Sequence, residues 1–160
     1  MKKYGFALLI GVLIAAGCQP NSPDEIPCDS TPVTIKATQS EITALKQYID
    51  TNRISATADE RGFYYTIHSP GSGNKPTVCS NVTVNYSGQL TNGQTFDSGN
   101  GVDFGLNRLI LGWQEGIPLI APGGSITLYL PPSLAYGSRA QGDIPANSIL
   151  VFKIDLIRVD

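Results

Sequence analysis

The chain has 160 residues, 41 % of them hydrophobic and 15 % charged, with eleven basic residues against thirteen acidic ones. That length suits one domain plus a tail, and an acidic chain without a basic cluster argues against a nucleic-acid partner. An even scatter of charge also leaves no polybasic patch for an electrostatic membrane contact.

The first seventeen residues set the compartment. Lys2 and Lys3 precede an apolar run from Tyr4 to Ala16, too short for a spanning helix, which needs about 20 apolar residues. A charged start, a short apolar core and small residues at its end have the form of a secretory signal. Ala15-Ala16-Gly17 runs into Cys18, which resembles a bacterial lipobox: residues 1–17 are expected to leave and Cys18 to carry lipid as the new first residue. Losing Lys2 and Lys3 leaves nine basic residues against thirteen acidic, a net charge of −4. The expectation is a lipid-anchored, extracytoplasmic protein of the bacterial cell envelope, on the periplasmic or outer-membrane face. With Cys18 lipidated, Cys28 and Cys79 form an even pair in an exported chain, either a disulfide or two independent thiols; spacing does not choose. There is no CxxC pair, so no metal and no cofactor is expected.

Residues 18–39, rich in Pro, Ser, Thr and Asp, form a tether without apolar period. Ser40 is the expected N-cap of a short helix through about Thr51, with Ile42, Leu45 and Ile49 on one face and packing as its expected role. This helix and its linker fill 40–61. The pattern then shortens to strands over 62–160. Phe63 to Ile67 is aromatic and β-branched and ends at a Gly/Pro turn. Val82, Val84 and Tyr86 alternate with polar residues, Asn92-Gly93 marks a tight turn, and Ile126, Leu128 and Leu130 alternate again. Gly112 to Ile120 is the one helical stretch among them, and Ile149 to Val159 closes as a strand. The fold class is α+β, an antiparallel sheet with a short helix packed on it.

Hydrolytic chemistry finds no support. His68 is the only histidine and falls beside a turn, where a solvated loop residue is expected rather than a supported catalyst. Gly71-Ser72-Gly73 and Gly123-Gly124 lack the phosphate-loop lysine and dinucleotide spacing, so they are turns. What remains is aromatic. Tyr86, Phe96, Phe104, Trp113, Tyr136 and Phe152 lie on separate elements near glycines or turns, and with Asp97 they can line an apolar pocket with a few polar atoms.

Four segments carry a specific resemblance. Val84-Asn85-Tyr86-Ser87-Gly88 with Asn92-Gly93-Gln94-Thr95-Phe96-Asp97-Ser98 resembles the first signature of the FKBP family of prolyl isomerases. Leu109-Ile110-Leu111-Gly112-Trp113-Gln114-Glu115-Gly116 is similar to its helix entry. Leu130 to Gly137 resembles its Ile-Pro-x-x-Leu-Ala-Tyr-Gly segment, and Ile144 to Phe152 its Ile-Pro-x-x-x-x-Leu-Val-Phe ending. The segments follow the family's order across roughly 62–158.

The resemblance implies a half-open antiparallel sheet wrapped around one short helix, and peptidyl-prolyl cis–trans isomerase activity on proline-containing polypeptides. It implies Trp113 as the floor under a prolyl ring, with Tyr86, Phe96, Phe104, Leu109, Ile110 and Phe152 as walls. The Tyr136 hydroxyl and the Ile110 N–H would donate to substrate carbonyls, Ile144 would sit on a loop over the pocket, and Asp97 would stand near Tyr86 and polarise one rim. Rapamycin-type macrolides would compete. Leu stands at 109 where the family usually has Val, and the segment between Asp97 and Leu109 is short. A pocket of this kind also suits a tethered proline-binding module or chaperone without turnover, or a lipoprotein taking an unrelated apolar ligand. The short N-terminal helix leaves a monomer as the expected state, a dimer arm being the alternative use of that helix.

Overall fold

A computed structural model describes Cys28 and residues 34–160. The expected signal, the lipid site at Cys18 and most of the tether lie outside the described residues.

Helix α1 spans Gln39–Thr51. Its N-cap is Thr38 rather than Ser40, because Thr38 is extended and closes a capping box with Glu41. Leu45 and Ile49 are buried, as their spacing requires. They pack with Tyr129 and Val151 in a small second core, flanked by Tyr48, Tyr64 and Ile149.

The strands are β1 (Thr57–Ala58), β2 (Tyr64–Ser69), β3 (Asn81–Leu90), β4 (Thr95–Gly105), β5 (Ser125–Leu130) and β6 (Leu150–Val159). They make one sheet in the order β1-β2-β5-β6-β3-β4, every pairing antiparallel. This is the expected half-open sheet. Alternation assigns its faces: Ile126, Leu128 and Leu130 on β5, with Leu150, Phe152, Ile154 and Leu156 on β6, enter the main core. Tyr129 and Val151, which alternate with them, point to the opposite face and lie under α1. Both faces of the sheet are therefore covered at this end, each by a different helix. The α1 segment belongs to the folded domain, and β1 continues the sheet before residue 62.

Strand β4 has no apolar alternation to announce it, and Ser98, Gly99, Asn100 and Gly101 are poor strand formers. It forms by pairing with β3 from Asn81↔Gly105 to Gln89↔Thr95. Asn92-Gly93 turns the hairpin as expected: Gly93 has φ +87°, and Leu90 and Gln94 bond across it. His68 lies in β2, not in a loop, and its Nε2 is 2.8 Å from the Thr127 hydroxyl.

Helix α2 (Leu111–Gly116) continues into a 3-10 turn at Ile117–Leu119, where Pro118 ends the α geometry. It sits directly on β5. A Cβ at Gly112 would collide with the Leu130 side chain, and one at Gly116 would stand 2.5 Å from Leu128 Cδ1. The two glycines share a helix face and set how near α2 can come. Arg61, in the bend before β2, ties α2 down through Glu115 at 3.1 Å.

Cys28 and Cys79 are joined in a disulfide with Cα atoms 5.7 Å apart. The bond holds Cys28 beside the start of β3, where Asn107 Nδ2 donates to Cys28 Sγ at 3.5 Å.

Candidate functional site

The sheet curves around α2, and the site lies where their facing side chains meet the chain turns. Trp113 is the floor. It is 4 % exposed because Gly112 lets α2 approach β5 and presses the indole into the sheet's concave face. Three rings stand edge-on to it: Tyr86 at 5.3 Å, Phe104 at 6.0 Å and Phe152 at 5.3 Å between centroids. Phe96 extends the cluster from Phe152 at 5.6 Å. Edge-to-face pairs are each worth about 0.5–1.5 kcal/mol beyond the area they bury. The rings thus hold one another in place before any ligand arrives.

These side chains come from four directions. Tyr86 projects inward from β3, in step with Val82 and Val84. Phe104 comes from the far end of β4 and packs on Tyr86 at 5.9 Å. Phe152 comes from β6, and Trp113 from α2. Leu109 and Ile110 occupy the link from the 3-10 turn Leu106–Arg108 into α2, where Ile110 is the N-cap. Its carbonyl accepts from Trp113 and Gln114, while its own N–H, at a helix start, has no intrahelical acceptor.

Together Tyr86, Asp97, Phe104, Leu109, Ile110, Trp113, Tyr136 and Phe152 line a cavity of about 170 Å³. Drug-sized pockets run to about 300–1,000 Å³, so this one suits a single ring-sized side chain. Phe96 and Ile144, the other two residues of the expected set, line an adjoining space with Asp97, Tyr136 and Gln141 to Asp143. Asp97 and Tyr136 are shared, so the two hollows form one track. The structure brings all ten expected residues to it, including Phe104, whose short approach along the sequence is absorbed by strand β4.

The polar atoms sit on the rim. Tyr86 donates its hydroxyl to Asp97 Oδ2 at 2.9 Å. Burial, then this bond and the Asp97 charge, push the Tyr86 hydroxyl up to about 12. Tyr136 is also pushed up, first by burial and then by Asp97. Both phenols therefore stay protonated near neutral pH, with Tyr86 donating to Asp97. Tyr136 is 39 % exposed, with its ring at the cavity mouth. Trp113 Nε1 is buried without a hydrogen-bond partner among the described residues. No group of three or more His, Cys, Asp or Glu gathers among the described residues.

One contact escaped sequence reasoning. Glu41, on a helix assigned only to packing, reaches Ser133 in the turn that leads to Tyr136. Nothing local in the sequence connects positions 92 residues apart.

Comparison with known proteins agrees with this geometry. Residues 73–157 match the family model described as FKBP-type peptidyl-prolyl cis-trans isomerase. The chain is 41 % identical over 105 residues to the FKBP-type peptidyl-prolyl cis-trans isomerase FkpA of Aeromonas hydrophila, covering 63 % of this chain and 39 % of that protein. It is 44 % identical over 103 residues to the peptidyl-prolyl cis-trans isomerase Mip of Coxiella burnetii, covering 61 % of this chain and 45 % of that one. Among solved structures, a peptidyl-prolyl cis-trans isomerase from Pseudomonas syringae pv. tomato superposes with a TM-score of 0.67 at 30 % identity, covering 80 % of this chain and 99 % of that one. The crystal structure of FkpA from Escherichia coli gives 0.68 at 35 % identity, covering 76 % and 60 %. The chain spans less than half the length of the curated relatives it matches. Motif order, an aromatic cavity on a half-open sheet and these matches converge, and the chain belongs to the FKBP-type peptidyl-prolyl cis-trans isomerase family.

Proposed function

We propose that the chain is a peptidyl-prolyl cis–trans isomerase acting on proline-containing polypeptides. The observation that carries this reading is the 170 Å³ aromatic cavity floored by Trp113, with phenols on its rim and no Ser, Cys, Lys or His among its lining residues. An X–Pro bond isomerises slowly because a barrier of about 18–20 kcal/mol protects amide resonance. Lowering that barrier needs no covalent step. A site that binds the twisted amide better than the planar one lowers it by the difference. In this site the prolyl ring packs on Trp113, and the Ile110 N–H and Tyr136 hydroxyl hold flanking carbonyls. The twisted carbonyl, less polar than a resonant amide, lies against the Phe96 and Phe152 side, away from water. Asp97 stays occupied by Tyr86, which fixes one wall rather than moving a proton.

Rapamycin-type macrolides are expected to fill the same track and compete. The test is protease-coupled or NMR exchange on a proline peptide with wild type, Phe96→Ala and Asp97→Ala, with and without such a macrolide. Large losses in both variants, and competition, are expected. Peptide binding without turnover by wild type would overturn the reading in favour of a tethered binding module.

The same proposal places the chain in the bacterial envelope, anchored through lipid on Cys18. The Cys28–Cys79 disulfide supports an oxidising, extracytoplasmic compartment. Incorporation of a palmitate analogue, lost in Cys18→Ala, tests the anchor. A monomer fits best, because the apolar face of α1 is spent on its own sheet.

A further inference from the structure

Helix α1 precedes the matched family region, which begins at residue 73. Its packing on Tyr129 and Val151 explains Leu45 and Ile49; it does not explain Glu41. The two carboxylate oxygens of Glu41 serve two different parts of the chain. Oε2 accepts from the Thr38 N–H at 2.8 Å and the Thr38 hydroxyl at 2.9 Å, which completes the cap of α1. Oε1 accepts from the Ser133 N–H at 2.9 Å.

Ser133 is the middle residue of the 3-10 turn Pro132–Leu134. Pro132 has no N–H, so Ser133 carries the first donor of that turn and finds no acceptor within it. The other donors are satisfied locally: Leu134 bonds the Pro131 carbonyl, and Ala135 and Gly137 bond that of Pro132. These bonds, with two fixed proline φ angles, set the shape of the turn. Its orientation against the sheet needs an outside contact, and Glu41 supplies one. Leu134, 1 % exposed, anchors the turn on the core side, and Asn147 N–H bonds the Gly137 carbonyl at 2.9 Å beyond it. Tyr136 lies between those fixed points, three residues after Ser133, at the cavity mouth. Burial raises the Glu41 carboxyl, but hydrogen bonds from Thr38 and Ser133 outweigh it and hold the group below the usual carboxylate range. The group is therefore an anion, fit to accept from both segments, near neutral pH.

We infer that Glu41 is a positioning residue for the active site: from the N-terminal helix it holds the Pro132–Leu134 turn and thereby sets where the Tyr136 hydroxyl meets the substrate. The inference rests on the isomerase reading of the cavity. It makes α1 part of the catalytic architecture, although the helix touches no substrate.

The test compares variants of the full chain in the proline-peptide assay, with folding followed by thermal unfolding. Glu41→Ala is expected to lose roughly tenfold in kcat/KM, since misplacement of a contact group by about 1 Å can cost up to 100-fold. Glu41→Gln keeps an oxygen acceptor for Ser133 and should recover most of the activity. Thr38→Ala weakens the same helix cap while leaving the Ser133 bond, and should stay within about twofold of wild type. The decisive arm is a double-mutant cycle with Tyr136→Phe. If Glu41 acts through the Tyr136 hydroxyl, Glu41→Ala costs little or nothing further once Tyr136→Phe has removed that hydroxyl, so the double variant matches Tyr136→Phe alone. Should Glu41→Ala not fold, the cycle is run on Glu41→Asp, which keeps the charge but is one methylene too short for both segments. Independent, multiplying losses, or a Thr38→Ala loss equal to that of Glu41→Ala, would overturn the inference and leave Glu41 a cap alone. Equal turnover by wild type and Tyr136→Phe would overturn the assignment of Tyr136 itself, a distinct result visible without any change at Glu41.

Discussion

Substituting Gly112 by alanine tests whether the close seat of α2 on the sheet builds the site. The new methyl would collide with both methyl groups and the Cγ of Leu130. Leu130 is fully buried and cannot swing into solvent, so either its rotamer or α2 must give. Overpacking of this kind costs about 1–3 kcal/mol. Alanine returns up to about 1 kcal/mol through its better helix propensity. The net expectation is a loss of about 1–2 kcal/mol, or about 4–8 °C in Tm for a domain of this size. Urea unfolding read by fluorescence of Trp113, the single tryptophan, measures it from the pocket floor. Because Trp113 is the next residue, kcat/KM should fall by roughly tenfold, more than the loss of folded protein accounts for. Leu130→Ala alone should cost about 2–5 kcal/mol. In that background Gly112→Ala should be neutral or stabilising, a coupling of about 1–3 kcal/mol, because its methyl enters space that leucine vacated. A Gly112→Ala protein as stable and as active as wild type, or simple additivity with Leu130→Ala, would refute the reasoning.

The remaining predictions concern charge, cross-linking and the second core. Tyr86 should titrate near 12, followed by NMR of its ring. Since its folded pKa is raised, its contribution to stability is complete below about pH 10 and is lost as pH rises through about 12. Asp97→Asn should lower that titration towards the ordinary value without reaching it, because burial remains; an unchanged titration would remove Asp97 as a cause. The Cys28–Cys79 bond spans 51 positions, and closing such a loop in the unfolded chain is worth about 4 kcal/mol. The double variant Cys28→Ser, Cys79→Ser should lower the urea midpoint accordingly, and a change under about 1 kcal/mol would contradict the closed loop. Leu45→Ala should cost about 2–5 kcal/mol while light scattering stays monomeric; a change in association state instead would mean that α1 faces another copy.

The order of helix, strands and loops could be read before any coordinates, because most elements advertise themselves by period. Ile126, Leu128 and Leu130, or Leu45 and Ile49, name their buried face by spacing alone. The pocket set was legible for a different reason: the residues sit in short runs whose order and identity resemble a family, from Tyr86 to Phe152. Period failed where pairing partners, not local residues, stabilise an element. Strand β4 carries Ser98-Gly99-Asn100-Gly101 and exists because β3 supplies its hydrogen bonds. The cap of α1 moved from Ser40 to Thr38 because the capping box needs Glu41 at the third helical position.

By itself, then, the sequence determined the sheet-and-helix class, the polarity of the tail, and the residues that line the cavity. Tertiary structure alone decided that α1 covers the outer face of the sheet and that Cys28 meets Cys79. It decided as well that one carboxylate at Glu41 serves both a helix cap and a turn 92 residues away. The physical reason is range. Alternation and capping act over a few residues and leave a local mark, whereas a disulfide, a helix laid across a sheet and a bridging carboxylate depend on distances that only the folded backbone sets.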